Sequence, residues 1–436
     1  MQRRYGWLVL MVAAAAMVGS LPGRTQGLGL ITEPLLADLG IDRVSYATLN
    51  FWATLVGSAG ALGIGYAIDR IGTRTVLTMV LAALAAVVAF MSRADSYAAL
   101  ATWITLTRVL GQSALSVVSL AIVGHWFVRR ISTAMAVYSI AISVGFMAAF
   151  PLVGYAVQRF GWRAAWLGIG LALGVVLAPA AFAIVRRNPE AIGLLPDGAE
   201  DESAIRPELA DGEGFEQRPP ANRTPSREMG GYSWTEALAM PSFWVFAIGT
   251  ALYGLVASGI GLFNESILAE RGFGPEVYYK TLAVTAMTAL VGNFLGGWLA
   301  PRVALGRLMA ASLFVLAGGV VALPFLGTLG HVWLWASAMG LGGGLVMVLF
   351  FSVWGRVFGR RHLGRIQGVA QALTVAASAV GPLLLAWSLE RTGSYAAMFE
   401  ILGGVITLVA VAALLVTLPA AAPVFTGVPN RGDAAG

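Results

Sequence analysis

Gly65-Tyr-Ala-Ile-Asp69-Arg70-Ile-Gly72-Thr-Arg74 is a polar, glycine-rich and basic stretch between two long apolar runs. Apolar runs of about 20 residues are long enough to cross a bilayer as helices. A charged stretch of this length between two such runs indicates a short loop in water. The sequence around residues 65–74 therefore predicts two membrane-spanning helices joined by a basic loop.

The composition places the whole chain in the membrane. Of its 436 residues, 58% are hydrophobic and only 11% are charged, whereas soluble domains carry about 45–50% apolar and about 25% charged residues. The absence of cysteine excludes disulfides, zinc–thiolate sites and iron–sulfur clusters. With only three histidines, His125, His331 and His362, no metal site and no cofactor is expected.

The net charge of +6 does not indicate nucleic-acid binding, because the basic residues lie in short clusters between apolar segments. Such clusters are typical of topology determinants in membrane proteins. The chain starts with Arg3 and Arg4 before a long apolar run that continues past any small-residue cleavage site. We therefore interpret that run as an uncleaved first helix rather than a signal peptide.

Apolar runs predict twelve membrane helices in two sets of six. The first set is at residues 5–31, 45–67, 76–92, 98–123, 133–157 and 164–185, and the second at 242–264, 277–299, 305–327, 332–355, 365–389 and 395–419. We number these segments helix 1 to helix 12. Most of the 28 lysines and arginines fall in connections on one side. The positive-inside rule makes that side cytoplasmic and puts both termini there, in the cell (inner) membrane.

The predicted organisation is an N-terminal bundle (1–187), a cytoplasmic linker (188–240), a C-terminal bundle (241–419) and a cytoplasmic tail (420–436). The linker is rich in acids, arginines and prolines and has little apolar periodicity, which is typical of disorder. At its end, Ser233 and Glu236 fit a capping box that opens a short surface helix. The expected partners are the lipid bilayer and a small-molecule anion, with no nucleic acid and with the chain as a monomer.

The two sets of helices are copies of one another. Residues 27–33 (GLGLITE) match 259–265 (GIGLFNE) at an offset of 232, and Gly65, Arg70 and Ile71 match Gly297, Arg302 and Val303 at the same offset. Residues 127–130 match 358–361, and Pro151 matches Pro382, at an offset of 231. Matches in the same order at nearly one offset indicate a parallel repeat of two six-helix units.

The stretch at 65–74 resembles the loop between helices 2 and 3 of the major facilitator superfamily. That loop reads glycine-x-x-x-aspartate-arginine/lysine-x-glycine-x-arginine/lysine, and the matching positions are Gly65, Asp69, Arg70, Gly72 and Arg74. The resemblance implies a secondary transporter with alternating access, whose substrate is held near the midplane between the halves. It also implies that Asp69, with Arg70, Arg74, Arg129 or Arg130 or with the start of helix 11, closes the cytoplasmic gate.

Four short motifs resemble the oxalate/formate and monocarboxylate porters of that superfamily. They are Tyr5-Gly-Trp7, Gly161-Trp-Arg163, Asn188-Pro-Glu190 and Leu195-Pro-Asp-Gly198. This resemblance implies a small carboxylate as cargo. Helix 8, where those porters typically carry a substrate-binding arginine, has none here.

Two arginines fall inside predicted helices. Arg24 lies nine residues before Glu33, about 13–14 Å below the outer end of helix 1, and Arg108 lies in helix 4. No acid falls in the middle of any helix, and an unpaired arginine in a bilayer costs about 2.5–3.5 kcal/mol. We expect an anionic substrate to supply the partner, since guanidinium binds carboxylate in a bidentate fashion. Alternatively, Arg24 is a solvated loop residue after Pro22, and Arg108 is structural.

Other polar residues on helices near the expected cavity are candidates for contacts with the substrate, although each could instead form a helix–helix hydrogen bond. They are Asn50, Gln112, Tyr138, Tyr253, Gln367 and Gln371. Glu33 and Glu265 occupy equivalent positions in the repeat and are candidates for the outer gate or for proton coupling. The alternative is that both are solvated acids at helix ends.

The sequence thus predicts an all-α carrier of a small, monocarboxylate-like organic anion, working by proton symport or exchange. No catalytic residues are expected. The alternatives are an exporter of amphipathic or drug-like compounds and a membrane sensor or scaffold that does not transport.

Overall fold

The computed structural model describes residues 2–127, 131–187, 189, 232–358 and 363–419. Within these residues the chain is helical and contains no strand. The twelve long helices are Gln2–Gly19, Arg43–Ile71, Thr73–Met91, Tyr97–Trp126, Ile131–Phe160, Trp162–Ile184, Pro241–Ala269, Pro275–Leu299, Leu305–Phe325, Leu329–Val357, Leu363–Thr392 and Ala396–Leu415. They keep the numbers helix 1 to helix 12.

Twelve helices of this kind confirm the predicted fold class. Eleven of the described segments are long and apolar enough to cross a membrane. Helix 2 has 29 residues, which at 1.5 Å per residue gives about 43 Å, more than the ~30 Å of a bilayer core. The protein is an all-α integral membrane protein built from two six-helix repeats.

Helix 1 was predicted as one segment over 5–31, and the structure breaks it. After Gly19 the chain forms a 3₁₀ turn, Leu21–Gly23, then two short helices, Thr25–Gly29 and Thr32–Leu39. Arg24 has extended backbone angles, φ −94° and ψ 152°. Pro22 explains the break, since proline has no N–H to donate and its ring clashes with the preceding turn. We call residues 20–24 the helix-1 break.

The repeat is visible in the backbone. Ile31 (φ −117°, ψ 0°) interrupts the outer part of helix 1, and Phe263 (φ −114°, ψ 15°) kinks helix 7 at the equivalent position, 232 residues later. The helix-1 break has no such counterpart, because helix 7 continues regularly through Val256, which aligns with Arg24. The break is therefore a feature of the first half alone.

Successive helices alternate in direction, so the bundle has two ends. We call the end with Gly72 and the 232–240 segment the linker end, and the opposite end the far end. At the far end the halves meet closely: a Cβ on Gly29 would lie 2.1 Å from the carbonyl oxygen of Gly261, and one on Gly154 would lie 2.4 Å from the Tyr279 ring. Glycines at these two positions allow the halves to close at the far end.

The predicted capping box is confirmed at the linker end. The Ser233 hydroxyl accepts from the Glu236 N–H, and the Glu236 carboxylate accepts from the Ser233 N–H. These bonds open the short surface helix Trp234–Ala239, which leads into helix 7. The boundaries of the linker at 188–240 and of the tail at 420–436 remain predictions, since most of both segments lies outside the described residues.

Candidate functional site

Arg108 is the one charged side chain that is buried within the described part of the chain, with 1% of its surface exposed. Its Nη1 donates to the Thr25 hydroxyl (2.8 Å), to Gln112 Oε1 (2.8 Å) and to the carbonyl of Gly23 (3.3 Å). Its Nη2 donates to Asn50 Oδ1 (2.9 Å). One guanidinium thus connects helices 1, 2 and 4 and caps the helix-1 break. Only Nε has no partner among the described residues.

The helix-1 break lies directly on an irregular part of helix 4. Residues Arg108–Ala114 form a π-helical segment, and a Cβ on Gly23 would lie 2.2 Å from the Thr107 carbonyl and 2.9 Å from the Gly111 Cα. Only a glycine at position 23 allows this approach. Single π-turns in helices are frequent at functional sites, and this one orients Arg108 toward the break.

Arg24 leaves the same break in a different environment. Its Nε donates to the Ser20 hydroxyl (2.7 Å), and its Nη2 donates to Ser116 Oγ (3.1 Å) and to the sulfur of Met17 (2.9 Å). The guanidinium carbon lies 5.4 Å from the centre of the Phe146 ring. All these partners are neutral, so the contacts orient the cation without neutralising it.

Tyr138 lies near Arg24, close enough for its hydroxyl to interact electrostatically with the guanidinium. That hydroxyl is 2.5 Å from Ser119 Oγ, which in turn donates to the Ala13 carbonyl (2.7 Å). Arg24 itself is partly exposed, and within the described residues no carboxylate lies within ion-pair distance of it. Arg24 therefore has no acidic partner among the described residues, and it remains a candidate for binding an anion.

The predicted acid pair lies at the far end and shares a cation that the sequence analysis did not single out. Arg43, in the first turn of helix 2, forms a two-pronged ion pair with Glu33, including a 2.7 Å bond from Nη2 to Oε2. Glu265 is close enough to interact electrostatically with both. Its Oε2 is buried and has no hydrogen-bond partner among the described residues.

The candidate gate residues are at the linker end. Arg74 donates from Nε to the Phe182 carbonyl (2.9 Å) and lies over the Phe182 ring, and Thr73 donates to the Arg187 carbonyl (2.8 Å). Both contacts stay within the first half. Gly72 has a positive φ of +87° and contacts Arg187, while Arg70 is exposed.

The remaining gate candidates cannot be placed by their contacts. Arg129 and Arg130 lie outside the described residues, as do the side chains at positions 65 and 69. The gate role predicted for Gly65, Asp69, Arg70, Gly72, Arg74, Arg129 and Arg130 therefore stays a prediction.

Three other candidates, all in the second half, lie apart from both arginines. The Tyr253 hydroxyl packs on Gly343 of helix 10, where an added Cβ would meet it at 2.4 Å. Gln371 is exposed on helix 11, and Gln367 is partly exposed one turn earlier. The structure therefore groups Asn50 and Gln112 with Arg108, and Tyr138 with Arg24, and leaves the second-half candidates separate.

Sequence reasoning missed several members of these clusters. Thr25, Ser116 and Phe146 carry no motif, and small or aromatic residues in membrane helices most often serve packing. Arg43 did carry a signal, because it follows Glu33 by ten residues across a turn at Gly40 and comes directly after the helix cap Asp42. In the described part of the chain, no group of three or more histidines or acids is placed to hold a metal.

Comparison with known proteins agrees with this architecture. The profile described as Major Facilitator Superfamily matches residues 6–382. Monocarboxylate transporter 12-B of Danio rerio is 27% identical over 300 residues, which cover 65% of this chain and 60% of that transporter. The oxalate:formate antiporter of Oxalobacter formigenes is 23% identical over 383 residues, 87% of this chain and 83% of the antiporter.

Solved structures show the same fold. The crystal structure of a bacterial homolog of the human lysosomal transporter Spinster, in an inward-facing and unoccupied conformation, superposes with a TM-score of 0.69 at 16% identity. The match covers 94% of this chain and 95% of that one. These findings confirm the resemblance seen at residues 65–74 and the expectation of a transporter rather than an enzyme. The chain belongs to the Major Facilitator Superfamily.

Proposed function

We propose that this protein is a secondary carrier of a small, monocarboxylate-like organic anion, and that the anion binds at Arg24. It works by alternating access between the two halves, by proton symport or by exchange. It acts as a monomer in the cell (inner) membrane with both termini in the cytoplasm. The named relatives include a monocarboxylate transporter and an oxalate:formate antiporter, which supports this class of cargo without fixing its identity.

One observation carries the proposal: a partly exposed arginine at an interior helix break has only neutral partners. Ser20, Ser116 and Met17 orient its guanidinium, and the carboxylate that would neutralise it is missing from the described residues. A buried or half-buried cation in a membrane needs a counter-charge or water. A carboxylate ligand supplies that charge and can accept two parallel N–H bonds from one guanidinium.

Arg108 has a different role in this proposal. Its two Nη atoms already donate to four acceptors, and its side chain is sealed from solvent. Arg108 therefore has a positioning role: it holds the helix-1 break against helix 4. This contact orients Arg24 toward the side where the anion binds. Asn50 and Gln112 belong to this brace and contact the anion only indirectly.

The site around Arg24 is suited to a small anion. Tyr138 and Ser116 provide hydroxyl groups beside the guanidinium, and Phe146 provides an apolar face. A short carboxylate with a small apolar body matches these groups in charge and in polarity. Tyr253 and Gln371, on the second half, are proposed to reach the anion when the halves change position.

Counterflow in proteoliposomes tests the function. Vesicles preloaded with unlabelled formate, oxalate or lactate are diluted into the labelled anion, and uptake is compared for wild type, Arg24→Gln, Arg24→Lys and Arg391→Gln. Arg391 is an exposed arginine stacked on Trp387 and is the matched control. We expect counterflow in wild type and in Arg391→Gln, a loss of at least tenfold in Arg24→Gln, and partial activity in Arg24→Lys.

Full counterflow in Arg24→Gln would overturn the site. Wild-type vesicles that exchange none of these carboxylates would overturn the anion class. Accumulation of hydrophobic cations or dyes by the same vesicles would then favour the exporter instead.

A further inference from the structure

Glu265 is a carboxylate whose surroundings do not suit its charged form. It lies on helix 7, two residues after the kink at Phe263. Oε2 is sealed from solvent and accepts no hydrogen bond from any described residue. An ionised carboxylate oxygen that is buried without a partner is costly, whereas a protonated carboxyl is far less so.

Arg43, the one cation among the described residues that interacts with Glu265, is already paired with Glu33. Arg43 donates both Nη groups to Glu33, and its guanidinium carbon lies 6.0 Å from the centre of the Phe263 ring. Arg43 and Glu33 therefore form a neutral pair within the first half. Glu265 adds a second carboxylate across the interface with no second cation to balance it.

The other titratable groups around Glu265 do not supply a positive charge. Tyr278 and Tyr279 of helix 8 interact with it electrostatically, and the Tyr395 hydroxyl, just before helix 12, lies 3.0 Å from the hydroxyl of the neighbouring Ser266. Glu270, one turn further along helix 7, is paired with Arg271. The Tyr278 hydroxyl is itself buried and unpartnered among the described residues.

Both halves contribute to this cluster, which lies where they meet at the far end. Glu33 and Arg43 belong to the first half, and Glu265 belongs to the second. The close approach of Gly29 to Gly261, four residues before Glu265, brings them together. Glu265 as a whole is partly exposed, and only its Oε2 is sealed from water. Separation of the halves at the far end would let water reach Oε2 as well and remove the penalty of its charge.

We propose that Glu265 is a proton-binding site that gates the far end: the far end closes when Glu265 takes a proton and opens more readily when Glu265 is ionised. One proton moves from water at the far side onto one carboxylate oxygen, and it returns to water when the end reopens. Glu33 stays ionised as the partner of Arg43. The gate rests on the alternating-access part of the proposed function but not on the identity of the cargo.

Distances between spin labels at the far end test this directly. The chain has no native cysteine, so labels can be placed at two exposed far-end positions, one in each half. They are Asp95→Cys, in the loop between helices 3 and 4, and His331→Cys, in the first turn of helix 10. The full-length protein in lipid nanodiscs is measured by double electron–electron resonance at several pH values between 5.5 and 8, without substrate. The same pair is measured in Glu265→Gln and in Glu276→Gln, an exposed acid at the start of helix 8.

In wild type we expect the ratio of closed to open populations to fall as pH rises, by up to tenfold per pH unit for one linked proton. In Glu265→Gln the far end should stay closed at every pH, and in Glu276→Gln it should respond to pH as in wild type. A wild type without a pH response, or a Glu265→Gln variant that keeps the response, would overturn the gate. Because no substrate is present, this experiment tests only the gate, and its result does not depend on whether the protein transports an organic anion.

Discussion

Replacing Arg108 should weaken the protein much more than replacing Arg24, although both are membrane arginines in the first half. Arg108 donates four hydrogen bonds, to Gly23, Thr25, Gln112 and Asn50. Hydrogen bonds in membrane proteins average about 0.6 kcal/mol each, and those to charged groups in soluble proteins reach about 1.5 kcal/mol or more. Four such bonds amount to roughly 2–6 kcal/mol at these per-bond values.

A glutamine at this position has one amide group with two donors, and it leaves part of the buried brace unpaired. We therefore expect Arg108→Gln to lower the melting midpoint in detergent by several degrees, measured by tryptophan fluorescence. Arg24→Gln removes contacts of a partly exposed group, so it should lower the free energy of unfolding by no more than about 1 kcal/mol. For a chain of this length, that corresponds to a small shift of the melting midpoint.

The two variants should differ in which property they lose, stability or transport. Arg24→Gln should fold with a near-normal midpoint and fail in counterflow. Arg108→Gln should lose stability, and the protein that remains folded should also transport less per molecule, because the break no longer holds Arg24 in place. If Arg24→Gln were the less stable variant, or if Arg108→Gln folded normally and lost only binding, the roles assigned to the two arginines would be reversed.

Three further substitutions test the closure of the far end, the turn at Gly72 and the gate role predicted for Asp69. Gly29→Val should keep the far end open, because its Cβ would lie 2.1 Å from the Gly261 carbonyl oxygen. The rate at which a thiol reagent labels a cysteine introduced at the far end measures this opening; the rate should rise, and an unchanged rate would contradict the expectation. Gly72→Ala places a side chain at φ +87° and ψ +156°, a region essentially restricted to glycine, at a cost of about 1–3 kcal/mol, and a melting midpoint equal to that of wild type would argue against it. Asp69→Asn should slow counterflow at saturating anion without changing which anions compete; altered selectivity would remove Asp69 from the gate.

Helix number, the repeat and the family were readable from the sequence because each rests on a pattern spread over many residues. Apolar length fixes a membrane span, and the 232-residue offset recurs even in the backbone break at Ile31 and Phe263. The break at Pro22 was foreseen only as an alternative. Proline disfavours a regular helix, but packing against Gly111 and the buried Arg108 turns the interruption into an interior site rather than a loop end.

The sequence predicted only part of the candidate site, because the direction of a side chain depends on local backbone geometry that has no sequence signal. The π-helical turn at Arg108–Ala114 orients Arg108 toward the break, and no residue type in that segment predicts a π-helical turn. Arg43 was passed over because it lies in the first turn after a loop, where a solvated arginine is the ordinary case. Its ion pair with Glu33 depends on the short helix Thr32–Leu39 that the predicted single helix did not contain.

Ligand-induced thermal stabilisation measures directly whether an organic anion binds at Arg24. A ligand at 100 times its dissociation constant stabilises the folded protein by about 2.7 kcal/mol. Purified wild type, Arg24→Gln and Arg391→Gln are melted with increasing formate, oxalate or lactate at constant ionic strength. At least one of these anions should raise the midpoint of wild type and of Arg391→Gln and leave that of Arg24→Gln unchanged. An equal rise in Arg24→Gln would contradict it.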